Sequence, residues 1–189
     1  MRDLLEHALR RYAPQVVEPE AGLWPAAVLV LIYEHEGRPH IVYQKRTDRV
    51  DAHKGQVSFP GGGADPGDHD LAYTALRETH EEIGVHPGDV DLLGQLDQVR
   101  TISNFIVTPY VGWLRRFPYE WQFSHEEVAY LLEVPLDHLQ DPANFVPDRR
   151  NINGREIIVP SYRWRDDLIW GATGRMTANF LDVVTAARG

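Results

Sequence analysis

The stretch GGGADPGDHDLAYTALRETHEEIGV, from Gly61 to Val85, joins a glycine-rich segment to a segment with the composition of a helix. Residues 70–83 contain no proline or glycine, Asp68 or Asp70 can cap the first turn, and Gly84 stands where helices commonly end. At about 100° per residue, acidic side chains fall on one side and small or apolar ones on the other. The second set consists of Ala72, Leu76, Thr79 and Ile83. The pattern predicts a helix that packs through one face and carries charge on the opposite face.

Three carboxylates on the charged face, Glu78, Glu81 and Glu82, predict a metal site. Like charges three and four residues apart on a helix repel each other, so helix propensity alone does not favour the cluster. A bound cation would reverse that repulsion. Oxygen ligands suit hard ions, and Mg²⁺ in particular binds through a few carboxylates together with the phosphate oxygens of a substrate. The alternative is a solvated acidic face, which these carboxylates alone do not exclude.

The same stretch resembles the Nudix box, whose form is Gly, five residues, Glu, seven residues, then Arg-Glu-apolar-x-Glu-Glu-x-Gly-apolar. The second half matches at Arg77, Glu78, Glu81, Glu82, Gly84 and Val85, with Thr79 at the apolar position. In the first half, counting back from Arg77 places His69 where the glutamate belongs, whereas counting from Gly62 reaches Asp68 one residue early. We therefore interpret Asp68 as the replacement carboxylate after a one-residue insertion.

Resemblance to Nudix hydrolases implies an α/β (α+β) fold in which a mixed β-sheet lies between helices. It implies hydrolysis of a nucleoside diphosphate linked to another group, with Mg²⁺ or Mn²⁺ as the cofactor. The implied metal ligands are Glu78, Glu81, Glu82 and Asp68. Arg77 is implied to orient the first helix glutamate. Such ions polarise phosphoryl oxygens and lower the pKa of bound water.

A narrower resemblance covers residues 42–62, which are similar to the signature of coenzyme A pyrophosphatases. The matching residues are Val42, Tyr43, Arg46, Gly55, Phe59, Pro60, Gly61 and Gly62. Gln44, Thr47 and Asp51 depart from the signature, and Asp51 replaces an arginine. Nearby cations could offset that reversed charge. These are Arg49, His53 and Lys54. IWGATGRMTANFL, residues 169–181, resembles the closing segment of the same proteins.

This resemblance implies hydrolysis of coenzyme A or its thioesters to 3′,5′-ADP and a phosphopantetheine. The expected substrate-binding residues are Arg46, Gly61, Gly62 and His53. One alternative is a Nudix hydrolase of nucleoside-diphosphate sugars or dinucleoside polyphosphates, which Asp51 favours. A second is a non-catalytic Nudix domain that senses a nucleotide, which the loss of a helix glutamate would favour. No helix glutamate is lost.

Two polar clusters outside the Nudix box have open interpretations. Glu127 lies ahead of a predicted strand, where some Nudix enzymes place the base that activates water, and a hydrated loop acid is the alternative. Thr101, Ser103 and Asn104 lie between two predicted strands. They could meet the adenine or pantetheine end of a substrate, or only form a turn.

Composition limits the classes of protein. The chain has 189 residues, of which 43% are hydrophobic and 10% aromatic, as expected of one folded domain. A formal net charge of −9 argues against general nucleic-acid binding. The sequence contains no cysteine, which excludes disulfide and thiol chemistry. The longest apolar run, residues 26–33, is too short to span a bilayer, and residues 1–13 lack the apolar core of a signal peptide. We expect a cytoplasmic protein with a small-molecule substrate.

Periodicity and turn residues place the elements of a single domain over residues 1–189. Strands are predicted at 26–33, 40–45, 56–59, 90–98, 105–113 and 127–134, with a hairpin at 36–39. A short helical turn is predicted at 135–140, edge strands at 157–164 and 168–170, and a helix at about 173–187. An amphipathic helix at about 2–12 is expected to lie on the domain or on a partner subunit, as in a homodimer.

Overall fold

The computed structural model describes residues 1–18, 20–48, 55–152 and 155–188. The helices are α1 Arg2–Arg11, α2 Leu71–Ile83, α3 Leu136–Gln140 and α4 Gly171–Arg188. The strands are β1 Trp24–His35, β2 Arg38–Arg46, β3 Val57–Ser58, β4 Gly61–Gly63, β5 Val90–Gln95, β6 Val99–Arg100, β7 Phe105–Leu114, β8 Val128–Pro135, β9 Asp148–Ile152, β10 Arg155–Val159, β11 Tyr162–Trp164 and β12 Asp167–Ile169. Short 3₁₀ turns lie at Pro87–Asp89 and Pro142–Asn144.

Eight strands form one mixed sheet, ordered β3-β2-β1-β7-β5, with β4 paired to β1, β6 to β7 and β8 to β2. The central pair, β1 and β7, is parallel and runs from Trp24 opposite Phe105 to Ile32 opposite Trp113. The neighbouring pairs in this sheet are antiparallel. The predicted mixed sheet is therefore confirmed.

Strand β1 is buried on both faces because helices cover both sides of the sheet. Its alternate residues enter two separate cores. Val30 and Ile32 belong to the core that contains Phe180 of α4. Leu29 and Leu31 belong to the core that contains Ala75 and Ile83 of α2. The sheet therefore lies between α2 on one side and α4 on the other, as the resemblance implied.

Helix α1 packs on the same side as α4. Leu5 and Leu9 are buried in that core, and Arg2 donates a 3.0 Å hydrogen bond to Asp91 in β5. Of the two placements expected for this helix, the structure shows packing on the domain itself. Among the described helices, none combines the length and apolarity that crossing a membrane requires.

Two predicted elements differ from the structure. The hairpin turn consists of only two residues, Glu36 and Gly37, and both have positive φ, of 50° and 75°. Residues 38 and 39 therefore already belong to β2. The strand predicted at 157–164 is divided at Pro160 into β10 and β11. These strands pair with β9 and β12 in two separate two-stranded sheets, so they are not edge strands of the main sheet.

Candidate active site

Helix α2 begins and ends where the sequence predicts. The Asp70 side chain accepts a 2.7 Å hydrogen bond from the amide of Tyr73 and caps the first turn. Gly84 ends the helix with φ of 76°, and its amide donates to the carbonyl of His80 at 2.9 Å. A Cβ on Gly84 would lie 2.7 Å from the carbonyl oxygen of Gln122. Both ends of α2 are therefore fixed. This fixes the rotation of the helix about its own axis, and so the direction in which its glutamate side chains point.

The glycine loop, residues 61–63, forms β4 and lies between β1 and α2. Gly61 has φ of 144°, and a Cβ there would lie 2.3 Å from the carbonyl oxygen of Ala27. A Cβ on Gly62 would lie 2.5 Å from Oε2 of Glu78. Because Gly61 and Gly62 have no side chains, β4 can lie close to both β1 and the carboxylate of Glu78.

Glu82 is buried beneath the glycine loop, with 3% of its surface exposed. Its Oε2 accepts a 2.8 Å hydrogen bond from the amide of Gly61, and its Oε1 lies 3.4 Å from Nη1 of Arg46. Burial raises the pKa of Glu82 to about 7, although the Gly61 amide and the Arg46 charge act in the opposite direction. The sequence placed Glu82 on the charged face of α2, opposite the face that packs. In the structure Glu82 is buried as well, because an amide and a guanidinium from distant segments contact its carboxylate.

Arg77 connects the glutamates to the loop. Its Nη1 donates to Oε1 of Glu78 at 2.8 Å and to Oε2 of Glu81 at 3.1 Å. Its Nε and Nη2 each donate at 2.9 Å to the two oxygens of Asp68, and Nη2 also lies 3.3 Å from the carbonyl of Gly63. Arg77 is therefore placed to orient Glu78. That it does so during a reaction stays a prediction.

Asp68 is held in place by Arg77 and by two other donors. Besides the two bonds from Arg77, it accepts hydrogen bonds from the Thr74 hydroxyl at 2.8 Å and the Asp65 amide at 3.0 Å. The Arg77 guanidinium holds the pKa of this carboxyl well below its usual range. Through these bonds Asp68 positions Arg77. That Asp68 also binds metal stays a prediction. His69 has an exposed side chain 3.6 Å from Asp70.

Across residues 1–18, 20–48, 55–152 and 155–188, no group of three or more His, Asp or Glu side chains is arranged to hold a metal ion. The expected three-carboxylate group is not assembled here, because Glu78 and Glu81 face Arg77 while Glu82 faces Gly61.

The glutamates nevertheless fit a hard divalent cation. Burial raises the pKa of Glu78 above its ordinary value, as it does that of Glu82, so both carboxylates lie where additional positive charge would stabilise them. Glu81 is exposed one helix position before Glu82. All three supply oxygen donors, which Mg²⁺ and Mn²⁺ prefer. Glu78, Glu81 and Glu82 are therefore the residues that would hold such an ion.

A group of buried polar atoms lies beside Glu82, and the sequence analysis did not indicate it. Gln44 is fully buried next to Glu82, and neither atom of its amide makes a hydrogen bond of normal geometry within the described residues. Oγ of Ser58, which lies opposite Gln44 in the sheet, and Nε of Arg46 are likewise without partners there. Such atoms commonly bind ordered water or a ligand. The alternation of β2, which turns residues 42, 44 and 46 to one side, could have revealed this group.

The remaining predicted site residues divide into those near the glutamates and those outside the described residues. Glu127 is exposed at the start of β8, where its carbonyl accepts from the amide of Thr47 at 2.9 Å. Its amide donates to the carbonyl of Ser124 at 3.0 Å, and the Ser124 amide donates to the carbonyl of Glu82 at 2.9 Å, so Glu127 lies near the end of α2. Its charge contributes to the raised pKa of Glu78. Residues 49–54, which include Asp51 and the predicted substrate contact His53, lie outside the described residues.

Comparisons with known proteins agree with this geometry. The NUDIX domain family model matches residues 23–153. The chain is 32% identical over 156 residues to the mouse peroxisomal coenzyme A diphosphatase NUDT7, covering 79% of this chain and 66% of that protein. It is 36% identical over 161 residues to the Nudix hydrolase NudL of Pectobacterium atrosepticum, covering 85% of this chain and 82% of that protein. A C. elegans Ap4A hydrolase, solved as a binary complex, shares the fold with a TM-score of 0.51 and 22% identity, over 61% of this chain and 82% of that chain.

Proposed function

Because the chain belongs to the NUDIX domain family, we propose that it cleaves the pyrophosphate bond of coenzyme A or its thioesters to give 3′,5′-ADP and a phosphopantetheine. The chain is a Nudix pyrophosphohydrolase, an enzyme that acts on phosphoanhydride bonds of small nucleotides. The observation that carries the choice of coenzyme A is the 32% identity to the mouse coenzyme A diphosphatase. The signature residues matched between 42 and 62 support the same choice.

The glycine loop and the glutamates of α2 would receive the diphosphate of the substrate. Nudix hydrolases generally use divalent metal ions. Held by Glu78, Glu81 and Glu82, Mg²⁺ or Mn²⁺ would polarise the phosphoryl oxygens and lower the pKa of a water ligand. Gly61 and Gly62 have no side chains, so the phosphates can approach the backbone closely.

Arg77 and Glu127 have separate roles in this proposal. Arg77 keeps Glu78 and Glu81 oriented through its bonds of 2.8 and 3.1 Å. Glu127, which is exposed near the end of α2, accepts a proton from the attacking water. The water oxygen forms a bond to one phosphorus, and the bridging oxygen leaves with the other phosphoryl group. One water is consumed, and two phosphomonoesters are released.

Substrate choice is tested by incubating the protein with Mg²⁺ or Mn²⁺ and coenzyme A, ADP-ribose, NADH or diadenosine polyphosphates, with the products separated by chromatography. We expect 3′,5′-ADP from coenzyme A. If coenzyme A is left intact while ADP-ribose is cleaved, the coenzyme A proposal is wrong, and the alternative of nucleoside-diphosphate sugars or dinucleoside polyphosphates replaces it.

Two further properties stay predictions. A homodimer and a cytoplasmic location were expected from the sequence, and size-exclusion chromatography with light scattering would test the first of these. The non-catalytic alternative is set aside, because the chain belongs to a family of hydrolases and keeps all three helix glutamates.

A further inference from the structure

Two aromatic residues are paired at the end of the central strand pair. Trp24 is 67% exposed, and Phe105 is its direct partner across the parallel pair of β1 and β7. Directly paired residues point to the same face of a sheet. Two residues farther along each strand, Ala26 and Val107 enter the core beneath α4, so Trp24 and Phe105 also face that side. The exposed indole of Trp24 provides a surface for stacking, and Phe105 lies on the same face of the sheet.

This aromatic pair is continuous with the active site through the glycine loop. A Cβ on Gly63 would lie 3.9 Å from Cε1 of Phe105, whereas a Cβ on the preceding Gly62 would meet the carboxylate of Glu78. The aromatic pair and the glutamates therefore lie on opposite faces of one short strand. β4 is paired to β1 along one of its edges. Glu78 and Phe105 are thus contacts of successive residues of β4, one on each face of the strand.

A cation lies on the same side of the sheet. Nη2 of Arg175, in α4, donates a 2.7 Å hydrogen bond to the carbonyl of Arg100, which is paired with Ile106 beside Phe105. Within the described parts of the chain, the Arg175 side chain makes no ion pair with a carboxylate, and it is exposed. Arg100, by contrast, is neutralised by Glu20 at 2.8 Å. In a chain with a net charge of −9, Arg175 is therefore a cation without a carboxylate partner among the described residues, on the same side of the sheet as Trp24 and Phe105.

We propose that Trp24 and Phe105 hold the adenine base of the substrate and that Arg175 binds its ribose 3′-phosphate. This inference rests on the proposed function, because it assigns one end of coenzyme A to a place beside the same site. The nucleoside end fits better than the pantetheine end, since only the former has both a flat ring for stacking and an anion for a guanidinium. Thr101 and Ser103, which could have met the adenine, instead form the turn before Phe105: their hydroxyls lie 3.1 Å apart, and that of Thr101 accepts from the Phe105 amide at 3.0 Å.

The first experiment compares coenzyme A with 3′-dephospho-coenzyme A. Arg175→Gln should raise the KM for coenzyme A on the order of tenfold, as for one lost charge-assisted hydrogen bond, and leave the KM for 3′-dephospho-coenzyme A and both kcat values near wild type. Trp24→Ala should raise both KM values by about five- to tenfold, and Trp24→Phe should restore most of this loss. Arg188→Gln is the matched control, because Arg188 lies on the same helix about 20 Å farther along the axis. An equal effect of Arg175→Gln on the two substrates would overturn the assignment of the 3′-phosphate.

The second experiment measures binding without turnover, so that the two proposals can fail separately. Isothermal titration calorimetry with 3′,5′-ADP and with AMP should give tighter binding of 3′,5′-ADP to the wild type, and Arg175→Gln should remove the difference. Equal binding of both nucleotides to the wild type overturns this inference, whichever substrate is cleaved. Arg175-dependent binding of 3′,5′-ADP by a protein that leaves coenzyme A intact would support the subsite and refute the proposed function.

Discussion

Replacing Gly62 with alanine should disable the enzyme through a single misplaced carboxylate. The new Cβ would lie 2.5 Å from Oε2 of Glu78, whereas ordinary van der Waals contact begins at 3.4 Å. The carboxylate must therefore retreat by about 1 Å, and a displacement of that size in a reacting group costs about 10²-fold in rate. The obstructing atoms belong to the end of a flexible side chain, so the backbone has no reason to move. We expect kcat/KM for coenzyme A to fall about a hundredfold while the melting temperature changes by less than about 4 °C.

Gly67→Ala provides the matched control for this prediction. Gly67 lies in the same turn-rich segment, and nothing is within 4 Å of a Cβ placed there. Steady-state kinetics at saturating Mg²⁺ and thermal denaturation should be measured on both variants. Wild-type activity in Gly62→Ala, or an equal loss in Gly67→Ala, would refute the view that close contact between the loop and Glu78 sets the position of this carboxylate.

Three other perturbations separate stability from catalysis. Gly61→Ala should lower the free energy of unfolding in urea by about 1–3 kcal/mol, because φ of 144° disfavours a side chain and the Cβ would meet backbone at 2.3 Å; an unchanged urea midpoint would contradict this. Glu82→Gln should reduce kcat on the order of a hundredfold or more while the fold survives, and near-normal turnover would show that the metal is bound elsewhere. Burial raises the pKa of Tyr162 from 10.0 to about 12, so the folded state favours the protonated phenol, and the stability that this provides is complete below pH 10 and is lost as the pH rises toward 12. Tyr162→Phe should therefore have a melting temperature that falls less steeply than that of the wild type over this interval, and identical slopes would count against the shift.

The long strands and helices could be predicted because the hydrophobic and capping residues in their sequences match the way each element packs in the fold. β1 has a run of apolar residues that needs cover on both faces, and α2 has an aspartate at one end and a glycine at the other. Among the strands after residue 147, β9 was not predicted, and β10 and β11 were predicted as one strand. These strands are three to five residues long, and they form two-stranded sheets apart from the main sheet. Strands this short have too few residues for their alternation to stand out.

The site was predicted in part for a related reason. The sequence shows that α2 carries three glutamates, but it does not show which groups surround them. Glu82 is buried against Gly61 and Arg46. These partners lie 21 and 36 positions away in sequence, so the residues around Glu82 in the sequence do not reveal them. The spacing of a motif likewise does not show that Arg77 donates to both oxygens of Asp68. Such partners are fixed by the sheet topology, which local spacing does not contain.

The parallel pairing of β1 with β7 has a consequence for how the protein is made. Trp24 leaves the ribosome about 80 residues before Phe105, its partner in the sheet. At typical translation speeds of about 5–20 residues per second, the apolar β1 waits roughly 4–16 seconds for that neighbour. The glycine loop and α2 are synthesised within this interval, before the sheet on which they rest is complete. A nascent chain that stalls there exposes the edge of β1 that β7 later covers, and intermediates with unpaired strand edges are prone to aggregate and to need chaperones.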